Sequence, residues 1–336
     1  MRSSRKLTFL LAIVVTVAFS LGGSVTAGAE DFDWSPHVSG RLFTIGGGAP
    51  GSLFVNYTVA LSEILTRHIP GITVLVEPGG ASQNLIMVHD REVDFGITAT
   101  LLNYWGVHGL GWADGTRFDN VMAWIPGYST SGVWVVAADS DIHTLSDLQG
   151  RNVSLGMAGS GSDVDGRIVL NLFGIEANIT NNNWPDVGGQ MQDGLLDAFF
   201  HIAGHPAAFI TELELSMNLR VLVHSEEEIA TIRQNFPHYA FLTLQPGIYR
   251  FLTEPIEVLS GWNIIVINPD LDEDLVYEMT RIVWENVETI HAGAAMFIET
   301  QLENVRFMNM EVHPGAARFY RERGIELPTV PPPPAN

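Results

Sequence analysis

The feature that most constrains the fold is a repeated order of strand, glycine loop and helix. Short apolar or β-branched runs at 42–45, 72–76 and 93–97 predict strands, and apolar residues recur at helical spacing from Phe54 to His68. The order restarts with predicted strands at 132–137 and 152–155. Such alternation predicts an α/β fold with a mostly parallel sheet, in which ligands bind at the carboxyl ends of the strands.

The restart also predicts two similar α/β lobes with a ligand cleft between them. Further strands are predicted at 195–200, 219–223 and 261–267, and a last helix at about 271–291. We assign lobe 1 to residues 38–137 plus 250–327, which makes it discontinuous, and lobe 2 to residues 138–249. The proline-rich tail, residues 328–336, is expected to be extended and to lack core contacts.

The first 29 residues have the three-part layout of a secretory signal peptide. Three cations at positions 2, 5 and 6 precede an apolar run from Leu7 to Leu21, and small residues follow through Ala29. The run is shorter than the roughly 20 residues of a spanning helix, so cleavage after Ala29 is favoured over a retained membrane anchor. The sequence therefore predicts a soluble periplasmic protein.

The charge and cysteine content exclude several classes of partner and chemistry. The chain has 17 Lys and Arg residues against 38 Asp and Glu residues, a net charge of −21 at pH 7. Binding to nucleic acid requires clustered cations, so we expect no nucleic-acid partner. Because the sequence has no cysteine, disulfides, zinc–thiolate sites and thiol nucleophiles are excluded.

Three glycine-containing loops precede predicted helices and are the candidate ligand-binding segments. They cover residues 48–52, 79–82 and 159–162, and serines in them can cap the helices, with Ser82 expected to start a helix that runs to His89. Backbone amides at a helix N-terminus, together with the positive end of the helix dipole, bind anions. Three such helix starts in so acidic a chain predict recognition of a small anion.

One motif indicates a different function. The spacing Gly46-x-Gly48-x-x-Gly51, followed by Glu77 at the end of the next predicted strand, matches the dinucleotide-binding fingerprint. Against this reading, Pro50 removes one amide from the loop, and an exported protein meets little nicotinamide cofactor. A dinucleotide-binding oxidoreductase is therefore kept only as an alternative.

Two further patterns raise the question of a metal. His201 and His205 are four residues apart, but the intervening Ala203-Gly204 and the following proline favour a loop over a helix that would align them. Asp163 and Asp165 match a fragment of a calcium loop without its later glutamate, so they are expected to complement the helix dipole. We predict neither a metal nor another cofactor, and we find no nucleophile–base pair that would indicate an enzyme.

Several segments, taken together and in order, match one protein family. They are TIGGGAPGSLFVNYTVALSEIL from Thr44, PGGASQNL from Pro78, VDFGI from Val93, LSDLQGRNVSLGMAGSGS from Leu145, DGLLDAFFHIAGHP from Asp193, PHYAFLTLQPGIYR from Pro237, DLVYEMTRIVWEN from Asp274 and HPGAARFYRERG from His313. The set resembles the solute-binding subunits of tripartite ATP-independent periplasmic (TRAP) transporters of the TAXI group. This resemblance implies a type II periplasmic-binding fold whose two lobes close on a small organic acid and deliver it to ion-driven TRAP membrane subunits, separate or fused.

The sequence departs from the family pattern mainly in the first lobe. GSLFV at 51–55 stands where the family usually has Gly-Gly-Thr-Tyr-Tyr, GGASQN at 79–84 shifts a hydroxyl by one position, and TATL at 98–101 lacks the usual amide and acid. GSGS at 159–162 is kept, with serine in place of threonine. These replacements predict a monocarboxylate or an acid with a substantial apolar part. In the alternative reading, Leu53 and Val55 face the helix core, and Thr98, Thr100 and a water supply the polar contacts.

The loops and the matching segments together give a set of candidate ligand-binding residues. The set is Gly48, Ser52, Phe54, Ala81, Ser82, Asn84, Thr98, Ser160, Gly161, Ser162, His201 and Gly204. The hydroxyls of the loop 160–162 are expected to hold the ligand carboxylate. The favoured function is non-catalytic uptake. The alternatives are a binding protein for an ATP-driven importer or a sensor and, in another class, an exported enzyme.

Overall fold

The computed structural model describes residues 32–48 and 52–331, and the chain from Trp34 onward forms one compact unit. The predicted signal peptide and the last five residues of the tail lie outside the described residues. The described strands form one sheet and are β1 Phe43–Gly46, β2 Val74–Glu77, β3 Phe95–Ala99, β4 Met122–Ala137, β5 Asn152–Ser154, β6 Asn178–Thr180, β7 Ala198–Ala203, β8 Leu219–Leu222, β9 Ala240–Leu244 and β10 Ile256–Ile267.

The helices follow most of the strands, as the alternation predicts. They are α1 Ser35–Val38, α2 Leu53–His68, α3 Ala81–His89, α4 Thr100–His108, α5 Gly161–Leu172, α6 Trp184–Gln192, α7 Ala208–Leu213, α8 Glu226–Asn235, α9 Glu273–Glu285, α10 Glu288–His291 and α11 Pro314–Glu322. Among residues 32–48 and 52–331, no helix has both the length and the apolar composition needed to cross a bilayer.

The sheet joins two sets of parallel strands through two long antiparallel strands. β1 pairs in parallel with β2 and β3, and β5 pairs in parallel with β6 and β7. β4 and β10 lie side by side and antiparallel at the centre, with β3 next to β10 and β7 next to β4. β8 adds to β4 and β9 adds to β10, both antiparallel. The carboxyl ends of both parallel sets, and the helix starts that follow them, can therefore face one cleft.

The prediction of a mostly parallel sheet is correct within each set and wrong for the central pair. The strands predicted at 132–137 and 261–267 are only parts of β4 and β10, which have 16 and 12 residues. Both long strands are buried along almost their full length. Because buried central strands lack polar alternation, the sequence carries no period-two pattern that would reveal their length or direction.

Two local predictions also differ from the structure. The helix predicted at 271–291 is divided into α9 and α10 around Asn286 and Val287. Ser82 does not cap α3; the N-cap is Gly80, and Ser82 is the second residue of the helix. A glycine N-cap supplies no side-chain acceptor. Among the described residues, the start of α3 therefore has no backbone N–H bonded to a capping side chain, in contrast to the starts of α2 and α5.

Three buried apolar clusters pack on this sheet. The first surrounds β1, β3 and the carboxyl half of β10 and includes Phe43, Phe95 and Trp124. The second and third take alternate residues of β4 and β7, for example Phe200 in one and Phe199 in the other, and so lie on opposite faces of the sheet. The lobe boundaries at 137 and 249 stay predictions, and we keep the names lobe 1 and lobe 2 for those ranges.

Candidate ligand-binding site

A cleft of about 780 Å³ lies where the loops of the two parallel strand sets meet. Its volume is in the range of pockets that bind small ligands. Six of the candidate residues line it: Ser52, Phe54, Ala81, Gly161, His201 and Gly204. A smaller cavity of about 270 Å³ lies beside α4 and residues 330–331, and none of the candidate residues lines it.

The first residues or N-caps of six helices line the cleft. They are Ser52, Leu53 and Phe54 of α2, Ala81 of α3, Ala99, Leu101 and Leu102 of α4, Gly161 of α5, Trp184 of α6, and Ala207 and Ala208 of α7. The first backbone N–H groups of a helix have no acceptor within the helix, and the helix dipole adds positive potential there. Among the described residues that line the cleft, none is a lysine or an arginine. Positive potential in the cleft therefore comes from helix starts.

The start of α5 supplies two open amides. Ser160 is the N-cap, and its Oγ accepts a hydrogen bond from the Asp163 N–H at 3.3 Å, so Gly161 and Ser162 are the first two helical residues. The Ser162 Oγ accepts the backbone N–H of Ile202 on β7 at 2.9 Å, which holds this side chain against β7. Ser160 and Ser162 do not line the cleft, whereas Gly161 does. Because neither serine lines the cleft, the backbone amides of this helix start are the donors that α5 can offer to a ligand there.

The start of α2 is built in a similar way. Ser52 caps the helix, and its Oγ accepts the Val55 N–H at 3.3 Å. Gly48 packs tightly beneath this cap, since a Cβ atom there would lie 2.4 Å from the Ser52 Oγ. Gly48 therefore shapes the loop without lining the cleft.

Two polar candidates of lobe 1 hold the loops together and do not line the cleft. Asn84 is fully buried, and its Nδ2 donates to the carbonyl oxygens of Gly47 at 2.8 Å and Ile97 at 2.7 Å. The Thr98 hydroxyl accepts from the Asn103 side chain at 2.8 Å. The Asn84 bonds join the loop after β1 to the end of β3, and the Thr98 bond joins the end of β3 to α4. Ser82 is half-buried at the start of α3 and is also absent from the lining.

The lobe-1 side of the cleft is mainly apolar. Of the residues that replace the family's polar groups, Leu53, Phe54, Ala81 and Leu101 line the cleft, and Val55 does not. The Thr100 hydroxyl accepts the Trp262 N–H at 2.9 Å, and Thr100 does not line the cleft. Further lining residues that are largely apolar are Leu102, Tyr128 and Met296, and the polar residues Ser52, Thr130 and Asn263 also line this side. We call the set Leu53, Phe54, Ala81, Leu101, Leu102, Tyr128 and Met296 the apolar wall.

Asp165 is a cleft residue that sequence reasoning assigned to another role. It lies four positions after Gly161 on α5, so both side-chain positions share one helix face, and both line the cleft. The side chain is 1% exposed; its Oδ1 accepts the Tyr239 hydroxyl at 2.5 Å, and its buried Oδ2 has no partner among the described residues. Burial raises the pKa of Asp165 to about 7, against a smaller lowering by the Tyr239 hydrogen bond. The helix period places Asp165 beside Gly161, but only the tertiary structure places that face on the cleft.

His201 lies on strand β7, not in the loop that the sequence predicts. Its ring packs edge-on against Trp184, with a centroid distance of 4.2 Å, and its buried Nδ1 has no partner among the described residues. Burial, with a smaller contribution from His205, lowers the pKa of His201 to about 3. His201 is therefore a neutral ring on the lobe-2 side at physiological pH.

His205 is bound on both ring nitrogens. Its Nδ1 lies 2.5 Å from the Tyr249 hydroxyl and its Nε2 lies 2.9 Å from the carbonyl oxygen of Ser131. Because the Ser131 carbonyl oxygen can only accept, Nε2 carries the proton and donates to it, and in the neutral ring Nδ1 accepts the Tyr249 hydroxyl, whose oxygen accepts the Ala207 N–H. A metal bridging His201 and His205 would have to break these bonds. Within the described ranges, no three His, Cys, Asp or Glu side chains are grouped so that they could hold a metal ion.

The remaining residues of these segments have structural contacts. Asp163 lies in the first turn of α5, as predicted, and its carboxylate accepts from the Gly159 N–H, the Asn181 amide and the Arg167 guanidinium. Gly204 approaches the opposite lobe closely, since a Cβ atom there would lie 2.4 Å from the Met296 side chain. Gly204 and Met296 both line the cleft, so the two lobes meet at this point.

Comparison with known proteins identifies the fold and the family. A TctC solute binding protein from Polaromonas is 13% identical, with 75% of this chain and 86% of that chain aligned and a TM-score of 0.50. The arginine-, lysine-, histidine-binding protein ArtJ from Geobacillus stearothermophilus is 13% identical over 79% of this chain and 98% of that chain, with a TM-score of 0.46. The periplasmic aliphatic sulphonate binding protein SsuA from Escherichia coli is 13% identical over 87% of this chain and 96% of that chain, with a TM-score of 0.43.

The TctC match shows that the chain has the type II periplasmic binding protein fold, as the sequence predicts. The strand sets, the two central strands and the cleft described above are the parts of that fold that position the candidate site. A family model covers residues 45–324, which is most of the sequence. The chain therefore belongs to the NMT1-like family, a family of periplasmic solute-binding proteins.

Proposed function

We propose that this protein captures a small organic acid in the cleft and delivers it, chemically unchanged, to the membrane subunits of a transporter. The observation that carries the proposal is the convergence of six helix starts on a cleft whose described lining has no lysine or arginine. Backbone N–H groups that are fixed in a water-poor cleft bind an anion strongly, because they need no reorganisation and meet little competition from water.

The α5 start is the proposed carboxylate-binding position. The amides of Gly161 and Ser162 are open, and α5 has 12 residues, long enough for an effective dipole. The Leu53 and Phe54 amides at the start of α2 approach from the other lobe. An anion between these starts would join the lobes, so ligand binding would favour the closed state.

The rest of the ligand is proposed to be apolar. The apolar wall offers Leu53, Phe54 and Leu101, and it contains no cationic side chain that could bind a second carboxylate. A second carboxylate without partners would cost several kcal/mol, whereas each buried CH₂ group gains about 0.8 kcal/mol. A branched or aryl monocarboxylate is the best fit to this arrangement.

The proposed membrane partner is a TRAP transporter of the TAXI type, on the strength of the segment resemblance. A binding protein for an ATP-driven importer or a sensor differs from this proposal only in its membrane partner. Co-purification of tagged protein with its membrane subunits from the native host tests it. Recovery of an ATP-hydrolysing subunit or a sensor kinase would contradict the TRAP assignment and leave the binding function intact.

A thermal-shift screen with neutral isosteres tests the ligand class. Phenylacetate and 4-methylpentanoate are compared with phenylacetamide and 4-methylpentanamide, and with succinate as a dicarboxylate. A ligand that binds only the folded state at 100 times its Kd stabilises that state by about 2.7 kcal/mol. We expect stabilisation by the monocarboxylates alone. Stabilisation by succinate alone, or by none of the acids, would contradict the proposed ligand class, and turnover of the acid would contradict the binding function.

A further inference from the structure

Asp165 lines the cleft and has one buried carboxyl oxygen that no hydrogen bond among the described residues satisfies. Its Oδ2 is buried without a partner among the described residues, while its Oδ1 accepts the Tyr239 hydroxyl. A buried polar atom without a partner is costly, and such atoms in a ligand cleft are candidates for bonds that the ligand completes. Asp165 lies one helical turn after Gly161 on the same face, and both residues line the cleft, so a carboxylate bound at the α5 start would be within one helical turn of Asp165.

We infer that Asp165 binds the ligand as a neutral carboxylic acid, with its Oδ2–H donating a hydrogen bond to an oxygen of the ligand carboxylate. The inference rests on the proposed function, since it takes the ligand as an anion. Two carboxyl groups that share a site cannot both be ionised without strong repulsion, so one of them keeps a proton. The ligand carboxylate is stabilised by the amides of α5, and the proton therefore stays on Asp165.

The surroundings of Asp165 favour its neutral form. Tyr239 uses its hydroxyl as a donor to Oδ1, which leaves Oδ2 as the oxygen that carries the proton. On β7, His201 is neutral, and on α5 itself the guanidinium of Arg167 is bound to Asp163 and Asn181. His238, next to Tyr239, is also neutral because burial lowers its pKa to about 3. Burial raises the pKa of Asp165 to about 7, which supports the same assignment.

The alternative is an ionised Asp165 that accepts from an ammonium group of the ligand. The two roles make opposite predictions for Asp165→Asn, because the amide of asparagine donates at every pH and carries no charge. A neutral-acid role predicts that Asp165→Asn keeps binding an anion and loses the pH dependence. An acceptor role predicts that Asp165→Asn loses binding of a cation.

Isothermal titration with phenylacetate and with 2-phenylethylamine tests the inference. For the wild type, we expect phenylacetate affinity to fall about tenfold from pH 6 to pH 8, because ionisation of a group with a pKa near 7 removes the donor and adds repulsion. Asp165→Asn should bind phenylacetate with an affinity that changes less than about twofold over the same range. Asp193→Asn, which removes an exposed acid of the same lobe, should keep the wild-type pH dependence.

Each remaining outcome overturns the inference. A flat wild-type profile, or a loss of phenylacetate binding in Asp165→Asn, overturns it while leaving the proposed function standing. Binding of 2-phenylethylamine that strengthens with pH and disappears in Asp165→Asn assigns Asp165 the acceptor role. Failure of phenylacetate to bind either protein at pH 6 contradicts the proposed ligand class and this inference together. A ¹³C NMR titration of the ligand-free protein gives an independent readout, since an Asp165 carboxyl that is ionised at pH 6 overturns the inference without any ligand.

Discussion

The two sides of the cleft use their buried polar side chains differently. On the lobe-1 side, the Asn84 amide nitrogen and the Thr98 hydroxyl form hydrogen bonds within the lobe, neither residue lines the cleft, and most of the lining belongs to the apolar wall. On the lobe-2 side, Asp165 Oδ2 and His201 Nδ1 are buried and unpartnered among the described residues. Within the described ranges the Asn84 Oδ1 is buried and unpartnered as well, but only Asp165 and His201 line the cleft. Lobe 1 therefore supplies a mainly apolar lining, and lobe 2 brings polar atoms without partners to the cleft, at a cost of roughly 1–3 kcal/mol for each unmade hydrogen bond.

The largest expected effect is the pH dependence of stability that Asp165 imposes. Its pKa is raised in the folded state from 3.8 to about 7, so the folded protein binds this proton more tightly than the unfolded chain. The wild type should therefore lose stability relative to Asp165→Asn as pH rises from about 4 to 7, by up to about 4 kcal/mol, with no further change above pH 7.

Urea unfolding of the two proteins at pH 4.5, 6 and 8 measures this difference. Contributions from other titrating groups are common to both proteins and cancel in the comparison. A difference that stays constant with pH would show that the Asp165 carboxyl is ionised in the folded protein, and the contrast between the two sides of the cleft would weaken.

The next largest effect is on stability and concerns Asn84 on the lobe-1 side. Asn84→Ala should lower the free energy of unfolding by about 3 kcal/mol, because the carbonyl oxygens of Gly47 and Ile97 lose their donors and a fully buried side chain is truncated. Ser82→Ala, in the same helix and half-buried, is the matched control and should change stability by less than about 0.5 kcal/mol. Equal unfolding midpoints for these two variants would show that Asn84 does not hold the loop.

The sequence predicts the helix starts better than it predicts the roles of the buried polar side chains. The helix starts at 159–162 and near residue 52 are local features, since a serine N-cap next to glycine can be identified from a few neighbouring residues. The role of Asn84 depends on its contact with Gly47, 37 residues away, and that of Asp165 on Tyr239, 74 residues away. Such contacts leave no local pattern, so one sequence cannot distinguish an amide that binds a loop from one that binds a ligand.

The same reasoning explains the missed central strands. β4 and β10 pair across more than 100 residues of sequence and are buried on both faces, so neither alternation nor a turn signal marks their pairing. The α/β repeat, by contrast, is a local pattern of period and turn residues, and it predicts the parallel strand sets correctly.

A smaller effect should appear in acid on the lobe-2 side. Burial, with a smaller contribution from His205, lowers the pKa of His201 from 6.5 to about 3, so the unfolded chain takes up this proton first as pH falls. Stability should be lost below pH 6.5, by about 2 kcal/mol between pH 6.5 and pH 5 from this ring alone. His201→Gln should lack that part of the loss, while His68→Gln on the exposed face of α2 should keep it. Parallel acid profiles for the wild type and His201→Gln would contradict the neutral buried state of the ring.

The smallest expected effect distinguishes a structural role of the Ser162 hydroxyl from a ligand-binding role. The sequence predicts that its hydroxyl binds the ligand carboxylate, whereas in the structure the Oγ accepts the Ile202 N–H and Ser162 does not line the cleft. Ser162→Ala should therefore lower the free energy of unfolding by about 1 kcal/mol, because a buried N–H loses its acceptor. It should change phenylacetate affinity by less than about threefold, since the amides at the α5 start remain.

Ser160→Ala removes the N-cap of the same helix and should cost a similar amount of stability, which controls for general weakening of α5. A loss of tenfold or more in affinity for Ser162→Ala, with Ser160→Ala unchanged, would assign the hydroxyl to the ligand after all. The Oγ would then accept the Ile202 N–H while its O–H donates to the ligand carboxylate, and lobe 2 would contribute a hydroxyl as well as amides to the anion site.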